Sequence, residues 1–219
     1  MLGETTSGAR AGWSLLVPLK PLERAKSRLS TTSGEALRPR LALAFALDTV
    51  SAALACPLVR DVVVVTNDRR ARRELAALGA RVLPDVPDDG LNAALAHGAA
   101  TLRARSPRAA VAALNADLPA LRTVELTRVL GAAAQFPRAF LPDAAGIGTT
   151  FLSAGPARKL APAFGADSRR RHQASGAREL ALRGVDSVRR DVDTGADLAA
   201  ARALGLGRHT LTVSAASPA

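Results

Sequence analysis

The sequence predicts a single α/β domain built on a mostly parallel, twisted sheet with helices on both faces, Rossmann-like in general plan. Three observations predict it. The apolar runs Ser14 to Val17, Val62 to Val65 and Ala109 to Leu114 are continuous rather than alternating, which suits strands buried on both faces. Between them lie segments of helical apolar spacing, Leu37 to Leu54 and Arg69 to Leu78 among them. The connections are short, so strand–helix–strand units with right-handed crossovers follow.

Taken in order, residues 1–12 are small and polar and read as a disordered extension, 13–210 as the domain, and 211–219 as a flexible tail. The first strand stops at Pro18. Thr32 and Glu35 have capping-box spacing ahead of the helix from Leu37. Thr66, Asn67 and Asp68 end the valine strand, and Gly79 closes the following helix. Arg81 to Leu83 is a short strand, and a new helix opens at Gly90. Beyond the strand ending at Leu114, a helix runs from Thr123 to Ala134. Ala139 to Leu141 and Thr149 to Leu152 are strands around the loop PDAAGIG. Helical spacing resumes in HQASGARELAL (172–182), Val188 to Arg190 reads as a last strand, and Ala196 to Leu204 as a closing helix.

Charge narrows the partners. Lys and Arg total 30 against 19 Asp and Glu, a net charge of +11, so anions such as nucleic acid or phosphorylated metabolites come first. High-GC coding, which enriches Arg and Ala, accounts for part of this excess. Aromatic residues are 3% with no Tyr, which removes the stacking platform expected of a single-strand binder and counts against nucleic acid. The single cysteine, Cys56, excludes an intrachain disulfide and a multi-cysteine zinc site, and it reads as a small buried hydrophobe. No run approaches the roughly 20 apolar residues of a membrane span and no signal peptide is recognisable, so a cytoplasmic location is expected.

Chemistry-bearing residues cluster at strand ends. Lys20, Arg24, Lys26 and Arg28 follow the first strand within one loop, where open α/β sheets bind ligands. They suit a polyphosphate or form a solvated basic loop. Asp117 lies just past a buried strand, placed to hold a divalent cation or to accept turn amides. Asp191 and Asp193 repeat that arrangement and, on a strand, share one side; either completes a metal site with Asp117, or Asp193 or Thr194 caps the next helix. Gly90, Leu91 and Asn92 open a helix whose free amides could meet an anion or a purine edge. Gly146, Gly148, Thr149 and Thr150 bring backbone close to a small oxyanion or to a packed neighbour. Phe164, Gly165 and Ser168 precede Arg169, Arg170, Arg171 and His172, a phosphate pocket or a solvated face. No nucleophile elbow, Walker loop or dinucleotide glycine pattern is present, and what remains suits metal-assisted nucleotidyl transfer.

Together, VPLKPLERAKSRL, DDGLNAALAHG, ALNADLPAL, FLPDAAGIGTT, FGADSRRRH and RRDVDTGADL, in order across residues 13 to 208, resemble the guanylyltransferases of coenzyme F420 biosynthesis, relatives of the molybdopterin-guanine dinucleotide and sugar-nucleotide transferases. The resemblance implies a nucleotide-diphospho-sugar transferase-like fold and Mg²⁺-dependent transfer of GMP from GTP to phosphoenolpyruvate or 2-phospho-L-lactate, with release of pyrophosphate. By motif, Lys20, Lys26 and Arg28 would bind the triphosphate, with Arg24 only a charged neighbour, and Gly90, Leu91 and Asn92 would lie near the guanosine. Asp117 with Asp193 or Asp191 would hold Mg²⁺, and Thr150, Gly165 and Ser168 would bind the phosphorylated acid. The high-GC character points to an actinobacterial source and so to phosphoenolpyruvate. A transient handover of the product to the next pathway enzyme is compatible with the resemblance. The competing classes are a molybdopterin guanylyltransferase and a basic nucleic-acid-binding module, the latter disfavoured because unneutralised strand-end carboxylates repel a phosphate backbone.

Overall fold

The structure, a computed structural model, describes residues 12–25, 37–86 and 88–216. Strand β1 (Trp13–Pro18) is buried along nearly all its length because both its neighbours are parallel strands, β2 (Val59–Val65) on one side and β4 (Ala110–Leu114) on the other. β3 (Arg81–Leu83) extends the sheet beyond β2. Past β4 come β6 (Thr149–Ala154), β5 (Arg138–Pro142) and the two-residue β7 (Arg178–Glu179), giving the order β3-β2-β1-β4-β6-β5-β7. Only β6 runs against its neighbours, so the single seven-stranded sheet is mixed but mostly parallel, as predicted.

Strand alternation sorts the core into two layers. Leu15, Val17, Val62, Val64, Ala112 and Leu114 pack with α1 (Leu37–Leu54), α2 (Arg69–Ala77) and α4 (Thr123–Ala133). Leu16, Val63, Val65, Val111 and Ala113 pack with α3 (Gly90–Arg105). Each fully buried valine contributes about 2 kcal/mol of transfer free energy, so both faces of β1, β2 and β4 must be covered. α3 comes so close that a Cβ on Gly98 would sit 2.8 Å from Leu16 Cδ2.

Two sequence-predicted elements change. Helix from His172 to Leu182 is replaced by a short α5 (Ser168–Ala174), after which Gly176 adopts a φ of +80° and frees Arg178–Glu179 to pair with β5 as an edge strand. The strand expected at Val188 to Arg190 is instead a helical turn, α6 (Asp186–Arg189). Ser187 there is buried, with its amide and hydroxyl both donating to Glu125 of α4 at 2.8 Å, so a side chain 62 residues away in sequence takes the place of a sheet ladder.

The C-terminal region carries two further helices. α7 (Gly195–Leu204) begins with a capping box in which Thr194 and Asp197 bond reciprocally. α8 (Arg208–Ala215) occupies part of the expected tail and lies on α1, where Leu41 and Phe45 meet Ala120, Val192 and Ala201 in a separate cluster. Its N-terminus has no cap of its own. The buried Asp48 of α1 supplies one, accepting the amides of His209 at 3.0 Å and Thr210 at 2.8 Å. Among the described residues, no helix is long and apolar enough to cross a membrane.

Replacing Asp48 with Ala is therefore expected to cost about 2 kcal/mol, from the lost cap and the unmet amides. Thermal unfolding should show a Tm lower by about 4–8 °C.

Candidate active site

The strand order changes direction at β1: the chain moves outward through β2 and β3, then returns to place β4 on β1's other side. Loops leaving the carboxyl ends of β1 and β4 therefore diverge and leave a crevice. The structure has a cleft of about 660 Å³ there. Its walls include Lys20 and Arg24 after β1, Asn115 and Asp117 after β4, Asp191 and Asp193 before α7, and Thr149, Gly165 and Ser168. A second concavity of about 580 Å³ lies at the amino ends of β1 and β4. Among the described residues its lining carries no carboxylate, so paired charge chemistry belongs to the first.

The basic loop is braced from two sides. Asp68 caps α2 through one carboxylate oxygen, and with the other accepts the amide of Leu22 at 3.0 Å. Arg38 donates to the carbonyls of Glu23 at 2.7 Å and Ala25 at 2.6 Å. Between these anchors Lys20 and Arg24 stay exposed on the cleft. Arg24, set aside on sequence as a neighbour, thus shares the wall with Lys20. Lys26 and Arg28 lie outside the described residues.

In the same cleft, the carboxylates are held by the end of β4. Asn115 donates its amide N–H to Thr150 O at 2.9 Å and its side-chain Nδ2 to Asp191 Oδ2 at 3.4 Å. The amide of Val192 donates to Asp117 O at 3.1 Å. Asp117 and Asp191 are half-buried and Asp193 is exposed. Because the segment is a loop after α6, strand alternation does not place Asp191 and Asp193; docking of Val192 on Asp117 does.

The remaining predicted residues divide. Leu91 lines the cleft, whereas Gly90 and Asn92 do not. Asn92 brackets the backbone of Phe164 instead, accepting its amide at 2.8 Å and donating to its carbonyl at 3.1 Å, and so holds the Gly165 loop against α3. Gly165 and Ser168 line the cleft; Thr150 is fully buried behind it, and Thr149 takes the lining position.

The glycine loop is closed on itself rather than open to an oxyanion. Asp143 accepts the amides of Ile147 at 3.0 Å and Gly148 at 2.9 Å, and a Cβ on Gly148 would fall 2.3 Å from Asp143 Oδ2. An Asp followed by glycines three and five residues later is a turn signature that the motif reading passed over. The tri-arginine run is structural in two of its three members. Arg169 forms a bidentate pair with Glu179 at 2.8 and 3.0 Å and donates to Gly146 O, and Arg171 donates to Phe164 O at 3.0 Å. Arg170 is solvated.

His172, at the end of that run, is fully buried. Burial, followed by the charges of Arg138 and Arg171, pushes its pKa down to about 4. Asp197 is also shifted: burial opposes its ionisation, but hydrogen bonds from Thr194 and Asp193 and the charge of Arg190 bring it below the usual carboxylate range.

Fold and cleft define a class, the α/β nucleotidyltransferase fold of the nucleotide-diphospho-sugar transferase type. A nucleotidyl transferase from Methanothermobacter thermautotroptrophicus shares the fold with a TM-score of 0.59 at 21% identity, over 88% of this chain and 97% of that one. Residues 13–211 match the family described as Guanylyl transferase CofC like, and the chain belongs to that family. It is 70% identical over 203 residues to a phosphoenolpyruvate guanylyltransferase of Streptomyces coelicolor, covering 93% of this chain and 96% of that one. It is 68% identical to the protein of the same name from Streptomyces avermitilis, covering 93% of this chain and 94% of that one.

The buried imidazole sets a pH dependence. Its folded pKa of about 4 lies below the ordinary 6.5, so the unfolded chain binds the proton more readily. Its contribution is complete above about pH 6.5 and about 3 kcal/mol is lost as pH falls to about 4. Urea unfolding across that range should show the slope, and His172→Asn should flatten it.

Proposed function

We propose that the chain transfers GMP from GTP to phosphoenolpyruvate, giving enolpyruvyl-diphospho-5'-guanosine and pyrophosphate, as a step of coenzyme F420 biosynthesis. The observation that carries this is the cleft at the strand-order switch, which Lys20 and Arg24 line together with Asp117, Asp191 and Asp193. Family membership and the names of the relatives support the same reaction. A cytoplasmic setting and transient handover of the product to the next pathway enzyme belong to this reading.

In this reading Lys20, with Arg24, Lys26 and Arg28, neutralises the triphosphate, whose β and γ phosphates leave as pyrophosphate. Leu91 abuts the guanosine. Gly165, Ser168 and the threonine pair hold the acid. A phosphate oxygen of the acceptor forms a bond to the α-phosphorus of GTP while the bond from that phosphorus to the bridging oxygen breaks, the electron pair leaving with pyrophosphate. No protein nucleophile takes part. The acceptor phosphate is ionised near neutral pH, so no general base is required.

The cleft's donors are carboxylate oxygens, which fit a hard cation such as Mg²⁺. Among the described residues, no group of three or more His, Cys, Asp or Glu gathers as a closed metal cage. Mg²⁺ ordinarily takes only one or two protein carboxylates and completes its shell with phosphates and water. Asp117 with Asp191 or Asp193 would hold it, and when bound it would supply positive charge to the triphosphate oxygens.

The test is pyrophosphate release from GTP with phosphoenolpyruvate and 2-phospho-L-lactate in direct competition. Phosphoenolpyruvate is expected to win; preference for 2-phospho-L-lactate would reassign the acceptor, and inertness towards both would sink the reaction. Release should stop with excess chelator and return with added Mg²⁺. Asp117→Asn is expected to lower turnover by at least about a hundredfold with an unchanged Tm. A variant retaining near-normal release would remove Asp117 from the metal site.

A further inference from the structure

Thr149 and His172 form a buried pair at the acceptor end of the cleft. Thr149 is only 4% exposed, yet it lines the cleft beside Gly148, Gly165 and Ser168. His172 lies behind it with two polar partners. Its Nε2 is 3.0 Å from the amide nitrogen of Ala163, and since that amide can only donate, Nε2 carries no proton. A neutral ring then holds its proton on Nδ1, 3.0 Å from Thr149 Oγ1, and donates it to the hydroxyl.

The ring has little freedom to do otherwise. Phe164 meets it edge-on with centroids 5.0 Å apart, and Phe140 lies at 5.8 Å. Burial and the nearby Arg138 and Arg171 keep it neutral. One lone pair of Oγ1 is engaged by Nδ1–H, which leaves the threonine's own proton for a partner beyond the histidine. A freely turning hydroxyl would present lone pairs to the cleft as readily as its proton. With one lone pair committed to Nδ1–H, this one has its proton and a single lone pair left, and it is the proton that an anionic acceptor takes. Because Ala163 adjoins Phe164 and Gly165, the same ring also sets the Gly165 loop in register with the hydroxyl.

We infer that His172 is a positioning residue that fixes Thr149 as a hydrogen-bond donor to the phosphorylated acid, making Thr149 a specificity-determining contact on the acceptor side. The inference rests on the reaction proposed above. It separates the threonine pair: Thr149 meets the acceptor through its side chain, and Thr150, buried behind the cleft, does not.

Steady-state kinetics on the full chain with GTP and phosphoenolpyruvate test it. Thr149→Val should raise the acceptor KM about tenfold to hundredfold and leave the GTP KM unchanged, and Thr149→Ser should recover most of the loss. His172→Gln keeps an acceptor for the Ala163 amide but lacks the Nδ1 donor, so it should raise the same KM. His172→Asn restores an N–H near Nδ1 and should reverse the effect. The double variant Thr149→Val, His172→Gln should be no worse than Thr149→Val alone, because both remove one interaction.

An unchanged acceptor KM in His172→Gln, an equal rise in the GTP KM, or additive effects in the double variant would overturn the inference. Should His172→Gln fail to fold, the Val and Ser variants at Thr149 decide together with nitrogen NMR of the wild-type imidazole. A proton on Nε2, or Thr149→Val without effect, overturns it. Wild-type inertness towards both three-carbon acids would remove the reaction itself. An active wild type with an unresponsive Thr149→Val would remove only the role given to this pair.

Discussion

Parallel pairing of β1 with β2 on one side and β4 on the other is the constraint on which the site depends. A strand hydrogen-bonded on both edges has no freedom to shift, and with Leu15, Leu16 and Val17 fully buried it has no register to slip into without exposing apolar surface. Its carboxyl end is therefore a fixed point. Chain leaving it turns toward Lys20, while chain leaving β4 turns toward Asp117, and the space between them is a consequence of strand order rather than of any one side chain.

Electrostatics follow from that division. The cations stand on a loop tied down through Asp68 and Arg38, and the carboxylates on backbone tied to the end of β4, so both signs line one cleft. A nucleoside triphosphate and a small acid phosphate both carry several negative charges. Such ligands would meet attraction at Lys20 and Arg24 and repulsion at Asp117 and Asp191, since like charges a few ångströms apart in a partly dry site repel by several kcal/mol.

Around this core, polar side chains fix loop backbone where regular structure is missing. Asn92 holds Phe164, Asp143 holds Ile147 and Gly148, and Arg189 donates to the carbonyls of Pro142, Leu180 and Leu182. Arg169 couples Glu179 on β7 to Gly146 in the loop before β6. Apart from the Arg169–Glu179 pair, each bond satisfies a backbone group that the irregular second half of the chain leaves unpaired. Arg169, Arg171 and Arg189 are thus committed to the scaffold, and the basic side chains that line the cleft among the described residues, Lys20 and Arg24, come from the loop after β1.

The sequence by itself determined the parts that depend on local pattern. Continuous valine runs, helical spacing and strand-end turn residues located β1 to β4 and α1 to α4 within a few residues, because burial on both faces and helix periodicity are written in neighbouring residues. Lys20, Asp117, Gly165 and Ser168 were legible for the same reason: each sits at the end of an element or in a short motif. Only tertiary structure decided the rest. Helix after His172 and strand at Val188 failed because Gly176 and the Glu125–Ser187 contacts override weak local preference. α8 was invisible because its cap, Asp48, lies some 160 residues away. Arg24, Asp143 and the choice of Thr149 over Thr150 depend on which face of a folded loop meets the cleft, and no spacing along the chain encodes that distance in space.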